Sequence, residues 1–551
     1  MKPRPRPRRR PRRSTRLLEV LLLLAFLGTA AFVAAHLPTL QRAGGLLRDS
    51  LASGGLLGEL LGYLQTALRD LKDVLLSPEL VGLYVLITGG IILLENKNPD
   101  RTVAWLLVLV LLPLVGLLLY FLVGPRFVAM RWFRRCTPSA SSALTELSEV
   151  QARKLAEGDA PFLPPVAPPF DRTVRLLLRN SRTPLLAHNE VTVLTDGDAT
   201  FGAILGALRE ARHFIHLEYF AIANDGIGNE IREVLEERSR AGVAVRVVYD
   251  GVGSWKLGKD YLDSLQEAGV EAHPFLPASF PMFRREFNYR NHRKILVVDG
   301  HTGFVGGLNI GDMYLGRNPE MGHWRDTHLR LRGEGVSKLQ EIFLRDWQFC
   351  TRKPLEGADL FPCVEEVYPE KPLQIATSGP DSIWEAILQG YFSLISGARR
   401  RIWITTPYLV PSPDLIGALK VAALSGLDVR IIIPGKADHK MVYWASRGNL
   451  DDLLGAGIRV YSYQNGFIHS KIVLVDGEVA SVGTANMDLR SLEINYEVQA
   501  FLYDRGVTER LEADFVQDLA HSREFTLEER RCRPLKERFL ESLCRLLSPQ
   551  L

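Results

Sequence analysis

Hydrophobic and polar positions divide the chain into two parts with different rhythms. Before residue 125 three apolar runs follow one another, at 17–35, 79–94 and 102–123. A helix needs about 20 residues to cross a bilayer core of about 30 Å, and the third run reaches that length. The first is nearly as long, broken only by Glu19 near its start. The second is shorter and carries Gly82, Gly89 and Gly90. It spans only with help from its flanks, or as half of a tight hairpin. These runs predict a membrane-anchoring helical region over residues 17–135. Behind it, residues 137–169 are polar and proline-rich, and 136–185 reads as a linker.

From residue 186 the rhythm changes. Short β-branched runs opened by glycines alternate with helical patterns, which predicts α/β structure with a largely buried sheet. The pattern also repeats. The stretch 211–220, Ala-Arg-His-Phe-Ile-His-Leu-Glu-Tyr-Phe, resembles 398–407, and 242–249 resembles 426–433. Ala268-Gly-Val270 matches Ala456-Gly-Ile458. Two tandem α/β domains, 186–355 and 365–530, related by a pseudo-twofold duplication, are therefore expected. The repeat offset is 187, 184 and 188 residues at these landmarks and drops to 177 at the motif histidines described below. The first half thus holds eleven extra residues between Gly269 and His292. That insertion includes 276–287, where aromatics sit beside arginines, and it is expected to form a lid or a membrane-contact loop. The end of the chain, 531–551, has a helical apolar face with basic flanks. It is expected to pack on the second domain, with contact to a membrane surface as the alternative.

Charge sharpens the division. The net charge is +4, yet residues 1–16 hold nine Lys and Arg and no acid, so the remainder of the chain is net acidic. A nucleic-acid enzyme of this size would carry basic surface through its catalytic part; here the positive charge lies beside an apolar run. Residues 1–16 read as a cytoplasmic flank that meets anionic lipid. A cleaved signal peptide is the rival reading, but no clear small-x-small cleavage site follows. With three spans the next part would face outward, whereas Arg126, Arg131, Arg134 and Arg135 claim the inside. Both cues hold only if one run re-enters or lies in the interface. The five cysteines show no metal-ligand spacing.

The chemistry is written twice. His292-Arg-Lys294, four apolar residues, Asp299, six residues and Gly306-Gly-Leu-Asn309 form one copy; His469-Ser-Lys471, four apolar residues, Asp476, six residues and Gly483-Thr-Ala-Asn486 form the other. At average residue usage such a template arises by chance on the order of once in ten million positions, so two copies reflect duplication. Each His and Lys are two apart on a strand and share a face. Asp299 and Asp476 lie at odd separation from them and should point away, which keeps them in the signature as scaffold. Face to face, the copies supply two imidazoles and two ammonium groups to one cavity. One neutral His can attack phosphorus while the other, protonated, serves the leaving alkoxide. Lys294, Lys471, Asn309 and Asn486 can bind the phosphate and stabilise its charge without a metal, and no cofactor is implied. Each His also needs a carboxylate on its other ring nitrogen. Asp326 and Glu497, each one strand downstream of a motif, are the candidates for that second-shell orienting role.

These residues resemble the paired HKD motifs (His, Lys, Asp) of the phospholipase D superfamily. Their context, in Asn291-His-Arg-Lys-Ile-Leu-Val-Val-Asp-Gly300, Trp324-Arg-Asp-Thr-His328, Thr406-Pro-Tyr-Leu-Val-Pro411 and Asn486-Met-Asp-Leu-Arg-Ser491, is similar to the bacterial cardiolipin synthases. Residues 95–105 resemble the turn between that family's paired membrane helices. The resemblance runs from about residue 80 to the C-terminus and implies two tandem phospholipase D-like domains in a multi-pass protein of the bacterial plasma membrane. It also implies phosphatidylglycerol as both donor and acceptor, a phosphatidyl-histidine intermediate and release of glycerol. His292 would then be the nucleophile and His469 the general acid/base, within a catalytic set of His292, Lys294, Asp299, His469, Lys471 and Asp476. A phospholipase D that hydrolyses its substrate, another phosphatidyltransferase and a nuclease of the same superfamily are the alternatives. The apolar runs and the acidic bulk weigh against the nuclease.

Overall fold

The computed structural model describes residues 78–95, 99–112, 141–158, 170–276, 288–362 and 366–546, with isolated positions between them. The chain divides into an N-terminal unit reaching Val128 and a second unit holding nearly everything after it.

In the N-terminal unit the second apolar run forms α1 (Pro78–Glu95), and the third opens as α2 (Pro99–Leu111). Ile92, Leu109 and Tyr120 bury one another, and Trp105 meets Tyr120 edge-on at 5.2 Å. Gly89 lets α2 come close, since a Cβ there would sit 3.3 Å from Leu106. Among the described residues no helix is long and apolar enough to cross a membrane. The basic tail, run 17–35 and most of the third run beyond α2 lie outside the described residues.

The second unit begins with α3 (Ser141–Glu157) and α4 (Asp171–Asn180). Both fall in the stretch expected to be linker. Gln151 of α3 bonds the backbone N–H and carbonyl of Leu185 at 2.8 Å each. In α4, Val174, Leu177 and Leu178 are buried while arginines occupy the other face. The prolines around them carried the linker reading and hid this amphipathic turn pattern.

The first half then supplies β1 (Leu186–Thr195), α5 (Asp196–Glu210), β2 (Phe214–Tyr219), α6 (Gly226–Arg240), β3 (Ala244–Tyr249), α7 (Lys259–Glu267) and β4 (Glu271–Pro274). It continues with β5 (Lys294–Val298), β6 (Thr302–Gly306), β7 (Trp324–Arg325), β8 (Thr327–Gly333) and α8 (Glu334–Thr351). The second half opens with β9 (Glu370–Ser378), α9 (Ala386–Gly397), β10 (Arg401–Thr405), β11 (Leu409–Val410), α10 (Pro413–Leu424) and β12 (Asp428–Pro434). Next come α11 (Lys440–Arg447), α12 (Leu450–Gly455), β13 (Arg459–Tyr463), β14 (Phe467–Ile468), β15 (Ile472–Val475) and β16 (Val479–Gly483). It ends with β17 (Met487–Asp488), β18 (Glu497–Leu502), α13 (Arg505–Ala520), β19 (Ser522–Glu524), α14 (Leu527–Arg531) and α15 (Leu535–Leu546).

Among the described residues fifteen strands make one sheet, in the order β19-β13-β12-β10-β15-β16-β18-β9-β1-β8-β6-β5-β2-β3-β4. Apart from β19 the order reads alike from both ends, with β1 and β9 antiparallel at the centre. That is the pseudo-twofold expected from the repeat. One core cluster draws on both halves, joining Leu339 and Phe343 of α8 with Leu511 and Phe515 of α13. Two further clusters are centred on one half each, one including α5–α7 with Phe467 of β14 joining from the second half, the other α9, α10 and α12 with Val174 and Leu177 of α4. The strands β5 and β15 are buried on both faces, which is why their sequences read as unbroken apolar runs. Residues 277–287, the greater part of the expected lid, lie outside the described residues.

Candidate active site

Each motif occupies a hairpin. Asp299-Gly300 and Asp476-Gly477 are the central residues of turns closed by the N–H of His301 on the carbonyl of Val298 and of Glu478 on that of Val475, with positive φ at all four positions, 51°, 68°, 58° and 71°. Such turns match the twist of the strands they join. The turn carboxylates face away from the histidines. Asp299 accepts the backbone N–H groups of Arg212, His213 and Phe214, each at 2.8 Å. Asp476 accepts those of Arg399, Arg400 and Arg401 at 2.8, 2.8 and 2.9 Å. Their orientation follows from the turn rather than from strand alternation, because neither Asp belongs to a strand. Each ties its hairpin to the start of the neighbouring strand.

The histidines are placed by a crossed arrangement. Ile468 pairs with Arg325 in the β14–β7 ladder, and Asn291 bridges Tyr496. The backbone N–H of His469 donates to the carbonyl of Arg325 at 2.7 Å, and that of His292 to the carbonyl of Tyr496 at 2.9 Å. Each motif is thereby stitched to the residue preceding the other half's carboxylate. Asp326 Oδ2 lies 2.8 Å from His469 Nδ1. Glu497 meets His292 Nδ1 with both oxygens, at 2.9 and 3.0 Å. Neither half holds both members of a His–carboxylate pair.

The supporting shell explains other motif positions. A Cβ on Gly307 would fall 2.1 Å from Asp326 Oδ1, and one on Gly306 2.5 Å from the ring of His328. The glycines therefore leave room for the carboxylate and for a buried imidazole. Asp326 Oδ1 also accepts the N–H of Thr327 at 2.8 Å. Glu497 takes the hydroxyl of Thr484 and the amide of Asn495. Phe220 stands edge-on to the His292 ring at 5.1 Å, and Trp324 lies 5.2 Å from that of His469. Lys294 Nζ donates to the carbonyl of His292 at 2.7 Å, and Lys471 Nζ to that of His469. Lys471 Nζ is also 2.8 Å from His469 Nδ1. Asn309 accepts from the N–H of Ala221 at 3.3 Å and donates to the Tyr314 hydroxyl at 3.1 Å. The carbonyl oxygen of Asn486 is buried without a hydrogen bond among the described residues.

Burial sets the electrostatics. Both lysines are desolvated, which draws Lys294 down to about 7 and Lys471 to about 8, with Glu497 and Asp326 partly restoring their charge. Burial likewise lowers His292, against the pull of Glu497, and lowers His469 to about 4, aided by Lys471. Desolvation opposes ionisation of the two carboxylates, but His292 and Lys294 hold Glu497 below its ordinary value. Lys471 and His469 do the same for Asp326. The charges therefore form one interlocked set spanning both halves.

Several buried groups here were not singled out in the sequence. His328 has no partner at either ring nitrogen among the described residues, and burial lowers it to about 4. Burial raises Asp488 to about 6 and Tyr314 to about 12. Thr484 occupies the motif position matching Gly307, so its place in the signature was the available signal. Asp488, two residues beyond Asn486, lies in the family-like stretch 486–491, but its counterpart in the first half is Gly311, so the repeat does not mark it.

The duplicated half-sheet and the crossed His–carboxylate pairs define the two-motif phospholipase D class. The family description "Cardiolipin synthase, PLD-like domain" matches residues 204–347 and 391–519, and "Phospholipase_D-nuclease N-terminal" matches 82–125. The cardiolipin synthase of Halalkalibacterium halodurans is 45% identical over 479 residues, 86% of this chain and 93% of the relative. The major cardiolipin synthase of Bacillus subtilis is 41% identical over 491 residues, 88% of this chain and the whole of the relative. A phosphatidylserine synthase of Haemophilus influenzae has a similar fold, with TM-score 0.51 at 14% identity, covering 70% of this chain and all of that one. The chain belongs to the cardiolipin synthase family of the phospholipase D superfamily.

Proposed function

We propose that this chain makes cardiolipin from two molecules of phosphatidylglycerol. His292 Nε2 attacks the phosphorus of the first, the phosphorus–glycerol bond breaks, and glycerol leaves with a proton supplied by His469, whose imidazolium Asp326 and the bound diester's negative charge favour against the burial that lowers it in the free protein. The terminal hydroxyl of the second then attacks the phosphatidyl-His292 phosphorus, giving its proton to His469 and releasing His292. Lys294, Lys471 and the amides of Asn309 and Asn486 take up the phosphoryl charge. Glu497 and Asp326 hold the two rings and act as positioning residues. The observation that carries this reading is the pair of histidines, each engaged by the other half's carboxylate at Nδ1, with two depressed lysines beside them. The nucleophile assignment follows the family resemblance. Both exchanged bonds are phosphodiesters, so the reaction is near-neutral and runs with the lipid and glycerol concentrations.

The site works at a membrane, with phospholipid as its substrate. The apolar runs at 17–35, 79–94 and 102–123 support a multi-pass anchor in the bacterial plasma membrane. Incubation of the purified chain with phosphatidylglycerol in detergent, with chelator present, tests the proposal by mass analysis of the products. Cardiolipin with an equimolar amount of glycerol is expected. Phosphatidic acid alone would show that water intercepts the intermediate and make the chain a phospholipase D; no turnover would refute both.

A further inference from the structure

The C-terminal helix α15 was expected to bury its apolar face against the second domain, yet it turns that face outward. Leu535, Phe539 and Leu546 are 79%, 66% and 78% exposed, and Leu543 joins them on the same side at 44%. The spacing 535, 539, 543, 546 makes one continuous row along the helix. What the helix buries is its polar side. Glu541 accepts from Arg530 at 2.8 and 3.0 Å and also pairs with Arg533, while Cys544 packs on Val410 and Ala445. Among the described residues nothing covers the apolar row. Its flanks carry Lys536, Arg538 and Arg545, all exposed.

The position matters as much as the pattern. Val410, beneath α15, pairs with Asp488, and its β11 neighbour Leu409 with Met487, directly beyond Asn486 of the second motif. The first half offers a counterpart. Asp250 accepts the N–H of Asn291 beside His292 and opens a turn whose Trp255 is 70% exposed, with Lys256 Nζ 5.4 Å from its ring. Each half thus projects an apolar group with basic neighbours, the first from the turn that Asp250 ties to Asn291, the second from a helix packed on the strand that pairs with Met487 and Asp488.

We infer that α15, together with the Trp255 turn, lies on the surface of an anionic bilayer and seats the catalytic unit there. This rests on the lipid reading of the site. A row of four large apolar side chains with basic flanks suits the boundary between acyl chains and anionic headgroups. Tryptophan with an adjacent lysine suits the same layer. The substrate enters from that layer, so the docked surface belongs beside the histidines.

Hydrogen exchange on the full chain tests this without relying on turnover. In phosphatidylglycerol nanodiscs, amides of 535–546 and 250–258 should exchange about tenfold more slowly than in neutral detergent. The Leu535→Asp/Phe539→Asp variant should lose that slowing at 535–546. On vesicles the variant should make cardiolipin about tenfold more slowly, while turnover of a short-chain phosphatidylglycerol below its micelle concentration stays within about twofold. Equal exchange in the two media would overturn the inference, whatever the activity. Slowing in both media, with a dimer that the variant dissociates, would assign the face to a second copy and overturn it equally. Absence of cardiolipin from either substrate with the exchange effect intact would strike the catalytic reading alone.

Discussion

The surroundings of His292 and of His469 differ more than their motifs do. His292 meets both oxygens of Glu497, whose own contacts are Thr484 and Asn495. Beneath it Arg293 pairs with Asp346, next to a Glu218 whose burial, together with Asp346, pushes it well above the usual carboxylate range. His469 has one Asp326 oxygen and the Lys471 ammonium at the same ring nitrogen. Beneath it lie the small hydroxyls of Ser470 and Thr327, near Arg325 and its partner Asp518. Duplication kept the His, Lys and Asn of each motif and let the supports diverge. Because the pairs cross, the histidine at one centre depends on the carboxylate that the other half supplies.

The largest expected effect falls on the histidines. His292→Ala and His469→Ala should each lower cardiolipin formation by about 10⁴-fold or more in a radiolabelled lipid assay. Comparable activity in either variant would mean the two halves do not share one reaction. Next, the crossing predicts that Asp326→Asn acts through His469 and Glu497→Gln through His292, each with a loss of about 10²–10⁴-fold. Ring resonances in NMR of selectively labelled protein should shift at the partner histidine in the opposite half. A shift confined to the same half would remove the crossing.

A smaller effect concerns pH. Lys294 and Lys471 lose protons as pH rises through about 7 and about 8, well below the ordinary 10.5. Positive charge at the proposed phosphate site is lost in that window, so kcat/KM should fall as pH rises through it. A bound diester anion raises both values, so the fall in kcat should lie higher. A flat kcat/KM profile across this window would contradict the burial described for the lysines. The smallest catalytic effect is expected at the turn carboxylates. Asp476→Asn leaves three backbone N–H groups with a weaker acceptor and should cost about 2–4 kcal/mol in urea unfolding. Protein that does fold should keep its rate within about threefold, and a stable but inactive variant would place Asp476 in the chemistry.

Much of this architecture was legible because duplication writes itself into sequence. The repeated strands, the motif hairpins and the pairing of an α/β half with its copy all follow from spacing and β-branched runs. Asp326 and Glu497 stood out by lying one strand beyond each motif. Their exchange between halves did not, since it depends on the contacts Asn291–Tyr496 and Ile468–Arg325 across the twofold, and no local pattern encodes those. His328, Asp488 and the Glu218 cluster were hidden for the same reason: burial gives them their character, and they carry no spacing of their own. The helix α4 was obscured by neighbouring prolines. In α15 the periodicity was visible, but which side would face the fold was decided by the Arg530–Glu541 pairing.

Trapping the covalent intermediate tests the central claim most directly. His469→Ala, which lacks the proposed proton donor, is incubated with a phosphatidyl ester of a good leaving group that needs no protonation. An intact-mass increase of one phosphatidyl group is expected, mapped by peptide fragmentation to His292 and absent from the His292→Ala/His469→Ala double variant. An adduct that persists in the double variant, or none under any condition, would contradict a phospho-histidine built from the two halves.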